Sequence, residues 1–174
     1  MSYKGALLGR IYQGHIMKFN LFLTAALALT AAISLPSHAQ NSGAKAGNCS
    51  ILAELSAQTV KKDSRFDGHD DIAPALIKFA EAQSAKLEAG MEETYAASKA
   101  YGWDKAKVDS IMAETDAAMR AGFFTSTMDK SKLYMDHVMA LHGCGSAQTD
   151  PADLGQSPEA FMAVLQKMVQ ILRG

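Results

Sequence analysis

Apolar side chains recur at the spacing of an α-helix over most of the chain after residue 47. The longest such stripe runs from Ile72 to about Tyr101, where apolar or small residues return every three or four positions. This spacing places them on one face of a helix, whereas a half-buried strand needs alternation with a period of two. No sustained alternation of β-branched and aromatic residues with polar ones occurs. The sequence therefore predicts an all-α fold.

Five helical segments are predicted, joined by short connections that carry capping residues. They cover about residues 48–61, 72–101, 105–123, 129–142 and 158–173. The caps expected before four of them are Asp71, Asp104, the pair Ser126 and Asp129, and Ser157 followed by Pro158. Gly90 lies inside the long second segment and costs about 1 kcal/mol relative to alanine, so a bend or a close helix contact is expected there.

The two cysteines of the chain, Cys49 and Cys144, lie near the start of the first segment and just after the fourth. In an up-down arrangement these two places fall at the same end of the molecule. Neither cysteine belongs to a C-x-x-C or C-x-x-C-H motif, which argues against thioredoxin-like chemistry and covalent haem. The sequence predicts an up-down bundle of four to five helices linked by one long-range disulfide.

Residues 1–39 are predicted to be a secretory signal peptide. A lysine precedes an apolar run of about 15 residues, which is shorter than the roughly 20 that a membrane-spanning helix needs. A proline and small residues follow, so cleavage is expected between Ala39 and Gln40. Residues 1–16 precede a second methionine, Met17, and indicate either a long n-region or a translation start set too early. The protein is expected to be exported, periplasmic or secreted, with no stable membrane anchor after cleavage.

After cleavage, residues 40–47 are predicted to form a mobile leader, and residues 48–174 a single helical domain. All 18 acidic residues follow position 39, whereas three of the 17 basic ones precede it. The mature chain is therefore acidic, and it has no basic cluster. Because phosphate contacts need grouped lysine and arginine side chains, a nucleic-acid partner is not expected.

The segment around 129–142 offers two interpretations. Met135 and Met139 are four positions apart and His142 follows three positions later, a set of soft and imidazole donors that suits Cu(I). The simpler interpretation is that the methionines fill gaps in a helical core and that His142 favours a helix C-terminus. His137 and His142 are five apart and point about 140° away from each other, so they are not expected to chelate one ion.

No catalytic group is predicted. The turn Gly68–Asp71 places a histidine beside two aspartates, but no nucleophile or second base joins them. The predicted function is a small exported, non-catalytic binding or accessory protein whose partner is another protein or a small apolar ligand. No cofactor is expected, and the alternative is a copper or haem site at Met135, Met139 and His142. The apolar C-terminal helix is expected to dock on the bundle, with homodimerisation through it as the alternative.

Overall fold

The computed structural model describes residues 39–125, 130–146 and 148–174. The predicted signal peptide lies outside them apart from its last residue, as does the predicted cap at Ser126 and Asp129. Within this described part the chain is helical and contains no strand, which confirms the all-α fold. The helices are α1 Ala39–Val60, α2 Ile72–Lys99, α3 Lys105–Thr125, α4 Met135–Gly145, the one-turn α5 Pro151–Leu154, and α6 Pro158–Arg173; a short 3₁₀ helix, Ser64–Phe66, follows α1.

The helices α2, α3 and α6 begin at the predicted residues. The carboxylate of Asp104 accepts the backbone N–H of Lys107 at 2.8 Å, and the hydroxyl of Ser157 accepts that of Ala160 at 3.1 Å. The cap predicted at Asp71 is wrong, because its side chain makes no capping hydrogen bond and instead pairs with Lys167 at 2.7 Å. This ion pair links the start of α2 to the C-terminal helix.

The leader predicted at residues 40–47 is wrong, since these residues form the first turns of α1. Ala46 is only 2% exposed, and a side chain added to Gly47 would come within 3.1 Å of the Leu87 side chain. Helix α1 therefore packs closely on the second half of α2. This tertiary contact outweighs the low helix propensity of the glycine-containing stretch.

The fourth helix begins and ends later than predicted. It runs from Met135 to Gly145, so residues from about 130 to 134 are not part of it, and His142 is not its last residue. The segment before α4 is held by Asp63, whose carboxylate accepts the backbone N–H of Leu133 at 2.9 Å. Arg65 donates to the Leu133 carbonyl at 2.5 Å. A backbone fixed at both its N–H and its C=O does not enter the helical ladder.

Contacts between helices show that their directions alternate. The Ser50 hydroxyl in α1 donates to the Ala80 carbonyl in α2 at 2.9 Å, midway along an antiparallel pair. Helix α3 starts beside the end of α2 and returns along α1, where Arg120 meets Glu54 at 2.8 Å. Helix α4 then starts beside Asp63 at the end of α1 and runs back toward its middle. The bundle is thus up-down, as predicted.

Helix α6 docks on the bundle through its apolar stripe. The ring of Phe161 is fully buried and stacks on Phe79 of α2 with the centroids 4.4 Å apart. Leu165 and Met168, one and two turns later, are also buried. The close contact expected at Gly90 is not found, because a side chain added there would meet no atom within 4 Å. No helix in the described part of the chain is long and apolar enough to cross a membrane.

Candidate functional site

An open groove of about 430 Å³ lies between α1 and α2. Its walls come from two helices that pack antiparallel with small residues between them, so the backbones approach closely and leave a shallow depression alongside. The lining residues are Ser50 and Glu54 of α1, and Ile77, Ala80, Glu81, Ser84, Ala85 and Glu88 of α2.

The polar floor of the groove has its hydrogen bonds satisfied. The Ser50 hydroxyl donates to the Ala80 carbonyl, and it lies 2.7 Å from the hydroxyl of Ser84. A serine pair that is already bonded holds the two helices together and leaves no strong donor for a ligand. Recognition at this groove therefore depends on the side chains along its rim.

The rim is acidic. Glu54 pairs with Arg120, which also bonds Asp116 at 2.9 Å, and these two carboxylates raise the pKa of the guanidinium above its ordinary value. Glu81 and Glu88 are exposed, and neither takes part in an ion pair among the residues that the structure describes. Of the three carboxylates on the rim, Glu54 is therefore neutralised by Arg120, whereas Glu81 and Glu88 keep their negative charge. A groove with this charge suits a cationic ligand.

The disulfide is formed between Cys49 and Cys144, as predicted, with the two Cα atoms 5.7 Å apart. Both cysteines are buried, at 3% and 9% exposure, so the bond is shielded from reductants in solvent. It joins the middle of α1 to the last turn of α4. Its role in this fold is structural.

The sequence-predicted donors Met135, Met139 and His142 lie on one face of α4. Met139 is 59% exposed, His142 is exposed and Met135 is half-buried. The interpretation of Met139 as a core residue is therefore wrong, because this face of α4 points away from the bundle. The structure brings the three donors to a single stripe, which is exposed at Met139 and His142 and half-buried at Met135.

His137 belongs to the core. Its side chain is 5% exposed, its ring stacks on Phe123 with centroids 4.2 Å apart, and its Nδ1 accepts the backbone N–H of Tyr134 at 3.4 Å. Burial lowers the pKa of the imidazole and outweighs the opposing effects of Asp136 and of a hydrogen bond to the Phe123 backbone. The imidazole is therefore neutral, is fixed by Phe123 and Tyr134, and packs the start of α4 against α3. It is not placed to bind a ligand.

In the turn at Gly68–Asp71, the carboxylate of Asp71 is bound by a residue outside the turn. Lys167 donates to the Asp71 carboxylate and lowers the pKa of that carboxyl group, which keeps it an ion-paired anion. Across the described ranges, no three His, Cys, Asp or Glu side chains are grouped so as to hold a metal ion. Sequence reasoning missed the groove, whose only local signal is the spacing of Glu81 and Glu88 at seven positions on one helix.

No protein-family model, no curated protein and no solved structure matches this chain significantly.

Proposed function

We propose that the chain is a small exported helical protein without catalytic activity, which binds a positively charged protein segment in the groove between α1 and α2. The observation that carries the proposal is the rim of the groove, where Glu81 and Glu88 are exposed beside a floor of small side chains. A carboxylate there attracts lysine or arginine from a partner without first breaking an internal ion pair.

The shape of the groove favours a protein segment over an enclosed small molecule. Its volume of about 430 Å³ is at the lower end of ligand pockets, and it is open on one side. Glu81 and Glu88 are two helical turns apart, about 10 Å along the axis, which matches basic side chains spaced along an extended or helical peptide. Ile77, Ala80 and Ala85 offer apolar surface to the aliphatic stems of such side chains. The acidic rim also disfavours nucleic acid, whose phosphates it would repel.

Export is supported by the signal-like pattern of residues 1–39 and by the disulfide, since such bonds persist in oxidising compartments. We infer that the protein acts in the periplasm or outside the cell. Export with cleavage would leave Gln40 as the first residue, which the intact mass of the exported protein measures.

The groove is tested with the double variant Glu81→Gln, Glu88→Gln and a lysine–alanine repeat peptide, titrated by calorimetry. Exposed ion pairs contribute about 0.2–1 kcal/mol each, so losing two should weaken binding roughly two- to thirtyfold. The matched control is Glu93→Gln, Glu159→Gln, which removes two exposed carboxylates outside the groove. Equal losses in the two double variants would show that the peptide responds to net charge and that the groove is not its site.

A further inference from the structure

Helix α4 carries a feature that the groove does not involve. Of the large apolar side chains in the described part of the molecule, Tyr101 and Met139 are the two that are exposed. Met139 stands between Met135, one turn earlier, and His142, one turn later. Three side chains with metal-binding atoms therefore follow one another along a stripe whose last two members, Met139 and His142, are exposed and whose first, Met135, is half-buried.

The spacing allows these three side chains to meet at one ion. At 100° per residue, Met135, Met139 and His142 lie within an arc of about 60° around the helix axis. Neighbours three or four positions apart have their Cβ atoms about 5–6 Å from each other, and the unbranched methionine side chain has three rotatable bonds. Met135 and His142 are seven positions apart, about 10 Å along the axis, so the three donors meet only at an ion that lies over Met139, between the other two. The long side chains on either side can reach such an ion without any movement of the backbone.

The helix that presents these donors is held firmly. Val138 and Leu141 on its other side are buried at 1% exposure or less, and Cys144 in its last turn is bonded to α1. The imidazole of His142 takes part in no hydrogen bond or ion pair within the described ranges, so no internal contact competes for its nitrogen atoms. Donors that project from a rigid element are already positioned for a ligand.

The donor set selects the ion. Thioether sulfur is a soft ligand that prefers Cu(I), imidazole nitrogen also suits copper, and hard ions prefer oxygen donors. Both cysteines of the chain are in the disulfide, so no thiolate provides a stronger soft site. We propose that the exported protein binds one Cu(I) ion on α4 through the sulfur atoms of Met135 and Met139 and the imidazole of His142. This inference goes beyond the proposed groove function and does not depend on it.

The test uses the disulfide-bonded protein labelled with ¹³C in its methionine methyl groups. Ag(I), which has the same charge and softness but does not change its oxidation state, is titrated first, followed by Cu(I) without oxygen. The methyl signals of Met135 and Met139 should shift and saturate at one equivalent, while those of methionines elsewhere stay in place. Loss of one donor should weaken binding at least about tenfold, since loss of groups that only support metal ligands already costs 10–100-fold.

The variants Met139→Leu and His142→Gln remove one donor each from an exposed position, and their thermal unfolding checks that they fold. The matched control, Met112→Leu with Met119→Leu, removes two half-buried thioethers that are seven positions apart on α3. Undiminished binding by Met139→Leu, shifts spread equally over the α3 methionines, or no binding by the wild type would each overturn the proposal. Tighter binding by the wild type than by both donor variants, with the control unchanged, would establish it.

Discussion

Replacing both Cys49 and Cys144 by alanine tests how much the long-range disulfide stabilises the bundle. The bond joins residues that are 95 positions apart, so it restricts a large part of the unfolded chain. In the chain-entropy model a loop of this length corresponds to about 4.7 kcal/mol at 25 °C, and removal of native disulfides costs roughly 2–5 kcal/mol in practice. The variant should therefore lose about 2–5 kcal/mol of unfolding free energy.

The folded state should survive this loss at room temperature. Helix α4 stays docked through Val138 and Leu141, and Leu133 before it is fully buried. Domains of this size are stable by about 5–15 kcal/mol, so the helical content at 25 °C should remain close to that of the wild type. The midpoint of thermal unfolding should fall by roughly 8–20 °C, given about 4 °C per kcal/mol.

The measurement is circular dichroism at 222 nm during thermal and urea unfolding, with the wild type under reducing and non-reducing conditions alongside. Reduction should lower the midpoint of the wild type toward that of the variant and leave the variant unaffected. A fall of less than about 3 °C would refute the reasoning that this bond closes a long unfolded loop. A variant that is already unfolded at 25 °C would show that the packing of α4 is too weak to hold it in place.

Two further predictions concern the packing of α4. Gly145→Ala should destabilise the protein by about 1–3 kcal/mol in urea unfolding, because the added Cβ would lie 2.3 Å from the Phe161 ring. The control is Gly90→Ala in α2, where the added Cβ meets nothing within 4 Å and should stabilise the protein by up to about 1 kcal/mol. The same sign for both glycines would contradict the close contact. Asp63→Asn should lower stability at pH 7 by about 1–3 kcal/mol, because the buried carboxylate accepts several hydrogen bonds. Burial raises the pKa of Asp63, but its bonds to Arg65 and Leu133 more than offset this and leave the pKa below its ordinary value. The stability that the Asp63 carboxylate provides is therefore present above about pH 4 and lost as the pH falls through the lower folded-state pKa. Unfolding measured between pH 7 and 2 should show that the free energy of unfolding falls less in the variant than in the wild type.

The parts of the fold that local sequence determines could be predicted. Helices α3 and α6 start where a capping residue stands before an apolar stripe, and these signals lie within a few residues of each helix end. Helix α2 also starts at the predicted residue, although the side chain of Asp71 makes no capping hydrogen bond. The pairing of Cys49 with Cys144 could be predicted as well, because the chain has two cysteines and its helices alternate in direction. The expected place of Cys49 near the start of the first helix was wrong, since it lies in the middle of α1.

The errors arose where distant residues decide the local structure. The first turns of α1 depend on Leu87, which is 40 positions further along the chain than Gly47. The late start of α4 depends on the carboxylate of Asp63, which is 70 positions before the Leu133 amide that it binds. Helix propensity and capping patterns contain no information about such contacts, so the predicted starts of α1 and α4 were wrong by nine and six residues.

For the two candidate sites as well, the sequence shows which residues are present, and the packing determines whether they are exposed or brought together. The order of Met135, Met139 and His142 was visible in the sequence, but their exposure depends on how α4 is rotated about its axis. That rotation follows from packing, which buries Val138 and Leu141 and leaves Met139 in solvent. The groove needs two helices at once, and only their observed alignment brings Ser50 beside Ser84.

The two proposed binding surfaces start from different sides of α1. Cys49, which bonds α4, and Glu54, which lines the groove, are five residues apart and so point about 140° away from each other around the helix axis. Helix α4 therefore attaches to one side of α1 while the groove opens toward another. Loss of the groove carboxylates should leave the stripe on α4 intact, and loss of Met139 should leave the groove intact. Because the proposals rest on side chains that do not share a contact, either can fail while the other stands.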